Sequence, residues 1–195
     1  MALRFGLVQK EDWNYPDNFT SRKGFPREVL NLIYNTADCQ LSTTLGEGWG
    51  LPLTEAMAAK TINVAPNITS IPELFNSTNL DSIDNPDQFP SYKLRGIPVK
   101  AGSTSSEWTC HGAVDLERIR PLTNVDDAVK KLLWVYDHPQ EVKAITNRAY
   151  NWVKRLTWER VAQKWDKLFQ KIYQELEKER AHPKKTRLKK APKLL

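Results

Sequence analysis

The chain has 195 residues, of which 40% are hydrophobic and 27% are charged, and it carries a formal net charge of +6. This length supports one sizeable core and excludes two full domains. No apolar run approaches the roughly 20 residues of a membrane span and nothing resembles a signal peptide, so we expect a soluble, cytoplasmic protein.

Strand-like and helix-like segments alternate along the first part of the chain, which is typical of an α/β fold. Residues 3–9 (LRFGLVQ) predict a strand, and the apolar spacing of residues 27–37 (REVLNLIYNTA) predicts a helix. Residues 37–44 (ADCQLSTT) predict a second strand. The next helix is predicted to begin near Leu51, with Pro52 in its first turn, where a missing N–H costs nothing.

A third strand is predicted at residues 61–66 (TINVAP), followed by a short helix at residues 70–75 (SIPELF). Residues 76–107 are rich in Asn, Asp, Pro and Ser without sustained periodicity, and they predict an insertion loop. Three helices follow, at residues 124–138, 139–156 and 157–180. We therefore expect one Rossmann-like α/β domain over residues 1–180, with a parallel sheet and helices on both of its faces.

The cysteines and histidines show no spacing typical of a metal site or a redox centre. Cys39 and Cys110 are therefore expected to be inert, reduced thiols. His111, His138 and His182 are scattered along the chain, and we predict no metal ligands among them.

Two glutamates flank a glycine-rich loop between the second strand and its following helix. In open α/β sheets ligands bind outside the carboxyl ends of strands, and a helix N-terminus attracts phosphate. Gly48 and Gly50 would let the backbone approach such a ligand. Glu55 would accept hydrogen bonds from vicinal hydroxyls such as those of a ribose, and Glu47 from a second polyhydroxylated group. The spacing favours a nucleotide-sugar site, with an ordinary solvent-facing helix start as the alternative.

The segment from Leu30 to Phe75 resembles the C-terminal-domain signature of retaining glycosyltransferases of family 4, which have the GT-B fold. It shares the aspartate-bearing strand ADCQLS, the E-x7-E motif from Glu47 to Glu55, the EAMA helix, the strand after it and the IPE turn ending at Glu73. The order and spacing of these elements make the resemblance specific. It continues weakly through the terminal helices, in LTWERVAQKWDKLFQKIY.

The resemblance implies a nucleoside-diphosphate-sugar donor and transfer of its glycosyl unit, with retention, to an unknown acceptor. It implies no bound metal or other cofactor. Glu47 would be the catalytic residue, at the donor sugar's hydroxyls, and Glu55 would bind the ribose. The implied substrate-binding segment between them, whose backbone amides would hold the diphosphate, consists of Gly48, Trp49, Gly50, Leu51, Pro52 and Leu53.

The chain departs from the family in three respects. Thr69 and Ser70 stand where the family has glycines before the IPE turn. The family's acceptor-binding N-terminal domain has no counterpart, and neither does its Arg/Lys pair for the diphosphate, because Arg22 and Lys23 lie too close to the motif. We therefore expect a donor-binding half, which would need an N-terminal half-domain for transfer.

Two other functions are compatible with the same fold. A non-catalytic nucleotide-sugar-binding or assembly module would bind a nucleotide without turning it over. A GT-B-like epimerase or phosphorylase would change the chemistry, and an epimerase would convert a sugar nucleotide without any acceptor. The E-x7-E motif favours glycosyl transfer.

The last predicted helix carries an apolar stripe at helical spacing. The stripe consists of Trp158, Val161, Trp165, Leu168, Phe169, Ile172, Tyr173 and Leu176. Packing against the domain's own core is the favoured interpretation. Contact with a partner domain or self-association is the alternative.

The positive charge is concentrated in the tail at residues 181–195, where six lysines and arginines follow His182 without any acid. The tail lacks apolar periodicity and is interrupted by Pro183 and Pro192, which predicts a solvated, disordered end. Contact of the tail with an anionic membrane surface or with nucleic acid is the alternative, although the favoured interpretation gives it neither. No nucleic-acid partner is expected.

Deletion of the tail from Lys184 onward is predicted to leave both the melting temperature and the affinity for a sugar nucleotide unchanged, because the tail has no apolar face to bury. Thermal unfolding followed by circular dichroism and titration calorimetry would measure both quantities. A clear loss of thermal stability after truncation at Pro183 would show that the tail docks on the folded part.

Overall fold

The computed structural model describes residues 6–14, 24–78, 87, 93–110 and 119–181. The chain divides into two compact units, one from Met1 to Tyr150 and the other from Asn151 to Leu195. The first contains the sheet and most of the helices, and the second contains the last helix. The basic tail after Ala181, Arg22 and Lys23 lie outside the described residues.

Six helices and five strands are present in the described residues. The helices are α1 (Arg27–Thr36), α2 (Leu51–Ala58), α3 (Ile71–Phe75), α4 (Val125–Asp137), α5 (Pro139–Val153) and α6 (Trp158–Ala181). The strands are β1 (Cys39–Leu41), β2 (Ile62–Pro66), β3 (Ile97–Val99), β4 (Trp108–Cys110) and β5 (Ile119–Pro121). Each of the six helices overlaps a helix that the sequence predicts.

The first unit has an α/β fold around a three-stranded parallel sheet in the order β1-β2-β3. Cys39 of β1 is paired with Ile62 of β2, and Val64 of β2 is paired with Ile97 of β3. All five residues of β2 are buried, as expected for the central strand of a parallel sheet covered on both faces. The expected α/β class is confirmed, and the arrangement is consistent with a Rossmann-like fold.

Helices cover both faces of the sheet because successive side chains of a strand point to opposite faces. Ile62 and Val64 belong to a buried cluster with Trp134 of α4 and Ile145 of α5. Asn63, between them in the sequence, donates a hydrogen bond from Nδ2 to the carbonyl oxygen of Leu53 in α2, at 3.0 Å. The crossover helix α2 therefore lies on one face, and the later helices lie on the other.

The prediction of a strand at residues 3–9 is wrong for residues 6–9, the part that the structure describes. Instead of joining the sheet, Gln9 forms an isolated bridge with Trp13. The Val8 N–H donates to the Asp12 carboxylate at 2.7 Å, and the Asp12 N–H donates to the Val8 carbonyl at 2.9 Å. These local bonds use the backbone groups that a strand would need, so the apolar residues alone do not produce one.

The insertion loop predicted at residues 76–107 also needs correction, because β3 lies within it and is hydrogen-bonded to β2. Leu94, Ile97 and Val99 are fully buried in the same cluster as the central strand. The strand was missed because it is only three residues long and has Pro98 in its middle, which argues against an interior strand. In the described sheet β3 lies at an edge, where a proline is tolerated.

Strands β4 and β5 form a separate antiparallel pair, in which Thr109 is opposite Arg120. The sequence did not predict these two strands. The pair is connected to the end of β3 through an isolated bridge between Ala101 and Thr123.

Helix α6 makes up most of the described part of the second unit, and all residues of this helix are exposed. The side chains of its apolar stripe have exposed fractions from 40% for Val161 to 84% for Trp158, so the burial expected for this stripe is not present in the described residues. Within the described residues no helix combines the length and the apolarity that a membrane span requires.

A buried ion pair connects α4 to the end of β3. The Lys131 side chain is fully buried, and its Nζ lies 2.6 Å from one oxygen of Asp127 and 2.8 Å from the other. The same carboxylate accepts the backbone N–H of Lys100, the residue after β3, at 2.7 Å. Burial lowers the pKa of Lys131, while the hydrogen bond and charge of Asp127 act in the opposite direction. Asn124 caps the helix one turn before, accepting the Asp127 N–H at 2.7 Å.

We predict that Lys131→Met lowers the free energy of unfolding by about 3 kcal/mol, because it leaves the buried Asp127 carboxylate without its counter-charge. The double variant Asp127→Asn with Lys131→Met should lose less than the single variant, because no charge then remains in the core. Urea unfolding of the three proteins measures both differences. A loss below about 1 kcal/mol for Lys131→Met would mean that the pair is exposed to water in solution.

Candidate functional site

The loop that follows β1 and leads into α2 contains most of the predicted site residues. It leaves the carboxyl end of the parallel sheet, where the Ser42 N–H still donates to the Val64 carbonyl of β2 at 2.9 Å. A local turn comes next, in which the Thr44 hydroxyl oxygen contacts both the N–H and the carbonyl of Gly46 at 3.2 Å. The sheet and this turn together place Glu47 at the edge where parallel α/β sheets bind ligands.

Thr69 and Ser70, in the turn before α3, hold the Glu47 loop from the other side. The Glu47 N–H donates to the Thr69 hydroxyl at 3.0 Å. The Ser70 hydroxyl lies 3.0 Å from the Glu47 carbonyl and 3.3 Å from the Trp49 carbonyl. Thr69 adopts a left-handed backbone conformation with φ of 52°, which is unusual for a β-branched residue. Thr69 and Ser70 therefore fix the loop through their side chains.

Gly50 ends the loop as the N-cap residue of α2, with φ of 88°. A Cβ atom there would lie 3.1 Å from Leu53 Cδ1 and 3.2 Å from Leu74 Cδ1, so the backbone conformation favours glycine and the packing leaves little room for a side chain. Gly50 offers no side-chain acceptor to the first turn of the helix. This leaves the partial positive charge of the helix N-terminus without a side-chain cap.

Glu55 lies on the exposed side of α2, whereas Leu53, Thr54, Ala56 and Met57 point into the core. Its Oε2 accepts a hydrogen bond from the Tyr34 hydroxyl of α1 at 3.0 Å. Burial raises the pKa of Tyr34 to about 12, with further contributions from the hydrogen bond and the charge of Glu55. Tyr34 thus orients a carboxylate that sequence analysis treated as free to bind a ribose.

The remaining predicted residues differ in what they present to a ligand. Gly48 is exposed, with no atom within 4 Å of a Cβ built on it, so the space beside it is open. Trp49 and Leu51 are 40% and 66% exposed. Pro52 has no N–H, and the Leu53 N–H donates to the Gly50 carbonyl at 3.1 Å. Pro52 and Leu53 therefore offer no amide donor to a diphosphate, and the other amides of the predicted segment belong to residues 48–51.

Sequence analysis missed three residues of this site, although each left a signal. Tyr34 stands on the helical face of α1 next to Ile33, where it was counted only as an apolar position. Thr69 and Ser70 were noted as departures from a glycine pattern, but their hydroxyls as bonding groups were not considered. Glu73, at the end of the IPE turn, is exposed on α3, and its carbonyl accepts from Arg95 Nη2 at 2.6 Å.

The described residues contain no cluster of three His, Cys, Asp or Glu side chains that could hold a metal ion. Burial, and then the charge of Asp38, raises the pKa of Cys39 to about 11, which keeps it a protonated and unreactive thiol. His138 is stacked on Trp134, and its Nδ1 lies 2.9 Å from the Trp134 carbonyl. His111 and His182 lie outside the described residues, and so does the side chain of Cys110.

A cavity of about 750 Å³ lies at the other end of the sheet, where β1 and β2 begin. Its walls include Cys39 and Ile62 from the strands, Leu132 and Val135 from α4, and Val142 from α5. None of the predicted site residues lines it. The cavity is therefore separate from the Glu47 loop at the carboxyl end.

A scan against protein-family models and a search of the curated proteins gave no match to this chain. The likeness to family 4 glycosyltransferases therefore depends on the motifs in the sequence.

The Tyr34–Glu55 hydrogen bond predicts a pH dependence. The pKa of Tyr34 is about 12 in the folded state, above the ordinary value of 10.0 that applies to the unfolded chain. The contribution of Tyr34 to the free energy of unfolding is therefore complete below pH 10, and it is lost as the pH rises through 12. Glu55→Gln should lower the pKa of Tyr34, because it removes the charge that opposes ionisation. NMR titration of ¹³C-labelled tyrosine up to pH 11, assigned with Tyr34→Phe, measures it. Ionisation of Tyr34 near pH 10 in the unaltered protein would contradict the contact.

Proposed function

We propose that the chain is the nucleotide-sugar-binding half of a retaining glycosyltransferase. The observation that carries the proposal is the geometry of the loop from Glu47 to Gly50, which leaves the carboxyl end of a parallel sheet and enters a helix that has no side-chain cap. A helix start of this kind favours a phosphate group. A nucleoside diphosphate supplies that anion, and it supplies hydroxyls on both sides of it.

The two glutamates fit this ligand from opposite ends. Glu55 is exposed on α2 and held in place by Tyr34, so its second carboxylate oxygen can accept from a ribose hydroxyl. Glu47 is half-buried, and its backbone is fixed at both the N–H and the carbonyl. Its carboxylate is therefore suited to the hydroxyls of the transferred sugar, where positioning of the donor lowers the barrier.

Glycosyl transfer also needs an acceptor held against the donor and shielded from water. In the proposed enzyme this role belongs to an N-terminal half-domain or to a second copy of the chain. The leaving diphosphate would take the proton of the acceptor hydroxyl, and the amides of residues 48–51 would stabilise the charge that develops on it.

A nucleotide-sugar-binding module without transfer is the second candidate. What favours it is that Thr69 and Ser70 place side chains in the turn where the family has glycines, which restricts the approach of a ligand to the backbone there. Mass spectrometry after incubation with a sugar nucleotide and hydroxyl acceptors separates the two functions, since only an enzyme releases nucleoside diphosphate in an acceptor-dependent manner.

We predict that the chain binds one of UDP-, GDP- or ADP-glucose in ligand-observed NMR, and that Glu55→Gln weakens this binding about tenfold. The expected loss corresponds to one hydrogen bond with a charged acceptor, roughly 1.5–3 kcal/mol. Glu175→Gln is the matched control, because Glu175 is an exposed helical glutamate of α6, and it should bind like the unaltered chain.

Two results would contradict the proposal. Absence of binding to all three nucleotides would remove the donor site altogether. Equal affinity of the unaltered chain and Glu55→Gln would exclude Glu55 from the site.

A further inference from the structure

The β4–β5 hairpin brings a positive charge to the Glu47 loop, although it is far from that loop in the sequence. Arg120 of β5 is half-buried, and a Cβ atom built on Gly46 would lie 3.0 Å from its Nη1 and 3.7 Å from its Cζ. The same Cβ would lie 3.3 Å from the Thr69 methyl group. The guanidinium therefore rests against the backbone of the residue before Glu47, next to one of the side chains that hold the loop.

Glycine at position 46 makes this close approach possible. Gly46 has no left-handed backbone conformation that would explain the absence of a side chain. What an alanine there would meet is the Arg120 guanidinium and the Thr69 methyl, both at distances shorter than ordinary contact. The space that a side chain would occupy is therefore taken by the guanidinium.

We propose that Arg120 binds the diphosphate of the donor, an inference that depends on the proposed function. Its guanidinium remains charged at all relevant pH values and presents a planar set of N–H donors that matches phosphate oxygens. The amides of residues 48–51 begin two positions after Gly46, so a diphosphate bound to them would lie on the same short loop against which the guanidinium rests. Arg120 thus supplies, from a hairpin, the charge for which the sequence motif offers no basic pair.

The test compares nucleoside diphosphates with nucleosides. UDP, GDP and ADP are titrated into the unaltered chain by calorimetry, and the one that binds best is then compared with its own nucleoside by ligand-observed NMR. Arg120→Gln should weaken the nucleoside diphosphate about ten- to a hundredfold, as expected for charged hydrogen bonds. Arg120→Gln should leave the affinity for the nucleoside unchanged, and Arg120→Lys should recover part of the lost affinity for the nucleoside diphosphate.

Two further variants separate charge from structure. Gly46→Ala keeps Arg120 but displaces its guanidinium. It should therefore also lower the affinity for the diphosphate and leave the affinity for the nucleoside unchanged. Arg155→Gln is the matched control, because the Arg155 side chain is exposed and its Nε donates to the Asn151 carbonyl of a neighbouring turn, and it should bind like the unaltered chain. Raising the salt concentration should weaken diphosphate binding less in Arg120→Gln than in the unaltered chain.

The outcomes distinguish this inference from the proposed function. If the unaltered chain binds none of the three diphosphates, the donor site and the role of Arg120 are both wrong. If it binds one and Arg120→Gln binds it equally well, the donor site stands and Arg120 has no part in it. If Arg120→Gln lowers the affinities for the nucleoside and for the diphosphate by the same factor, Arg120 only stabilises the structure of the loop.

Discussion

The folded unit depends on the burial of β2 between two parallel neighbours. Each residue of this strand is inaccessible to water, so its backbone groups must be satisfied by β1 and β3 and its side chains by helices on both faces. Ile62 and Val64 provide the contact with α4 and α5, while Asn63 binds the backbone of α2. Loss of the pairing on either side would leave buried backbone groups of β2 without hydrogen bonds. The cost in free energy would be larger than for an exposed strand, whose backbone groups could bond to water instead.

The position of the candidate site is a consequence of the same strand. The chain leaves β2 at Pro66 and reaches Thr69 and Ser70 within four residues, at the carboxyl edge of the sheet. The Glu47 loop leaves β1 at that edge as well, because parallel neighbours end on the same side. Their hydroxyl contacts are therefore made between two segments that the sheet brings together, although they are 22 and 23 positions apart in the sequence.

The sequence predicts the parts of this structure that repeat a pattern over many residues. Helices α1 and α6 follow apolar spacing, and β2 follows from a short, mainly apolar run. The strand β3 could not be predicted in this way, because three residues around Pro98 are too few to form a pattern. Its place in the core comes from the pairing of Ile97 with Val64. Residues 6–9 show the converse error, because an apolar composition there is overruled by hydrogen bonds to Asp12.

The candidate site was predictable where it depends on a local motif and unpredictable where it depends on contact between distant segments. Glu47, Gly50 and Glu55 belong to one stretch whose spacing defines them. Tyr34, Thr69 and Arg120 come from α1, from the turn before α3 and from β5, and only the fold shows that they meet this stretch. Side-chain contacts of this kind leave no periodic signal in a single sequence.

The left-handed conformation of Thr69 has a consequence for the kinetics of binding. A threonine with φ of 52° costs free energy relative to glycine. This cost is offset at Thr69 by the hydrogen bond that its hydroxyl accepts from the Glu47 N–H. A loop anchored in this way is already ordered before a ligand arrives, so binding does not include the entropy of ordering it. For a donor that binds as proposed, the association rate constant is then set by diffusion and charge attraction and not by loop closure. Affinity would be controlled mainly by the rate of dissociation.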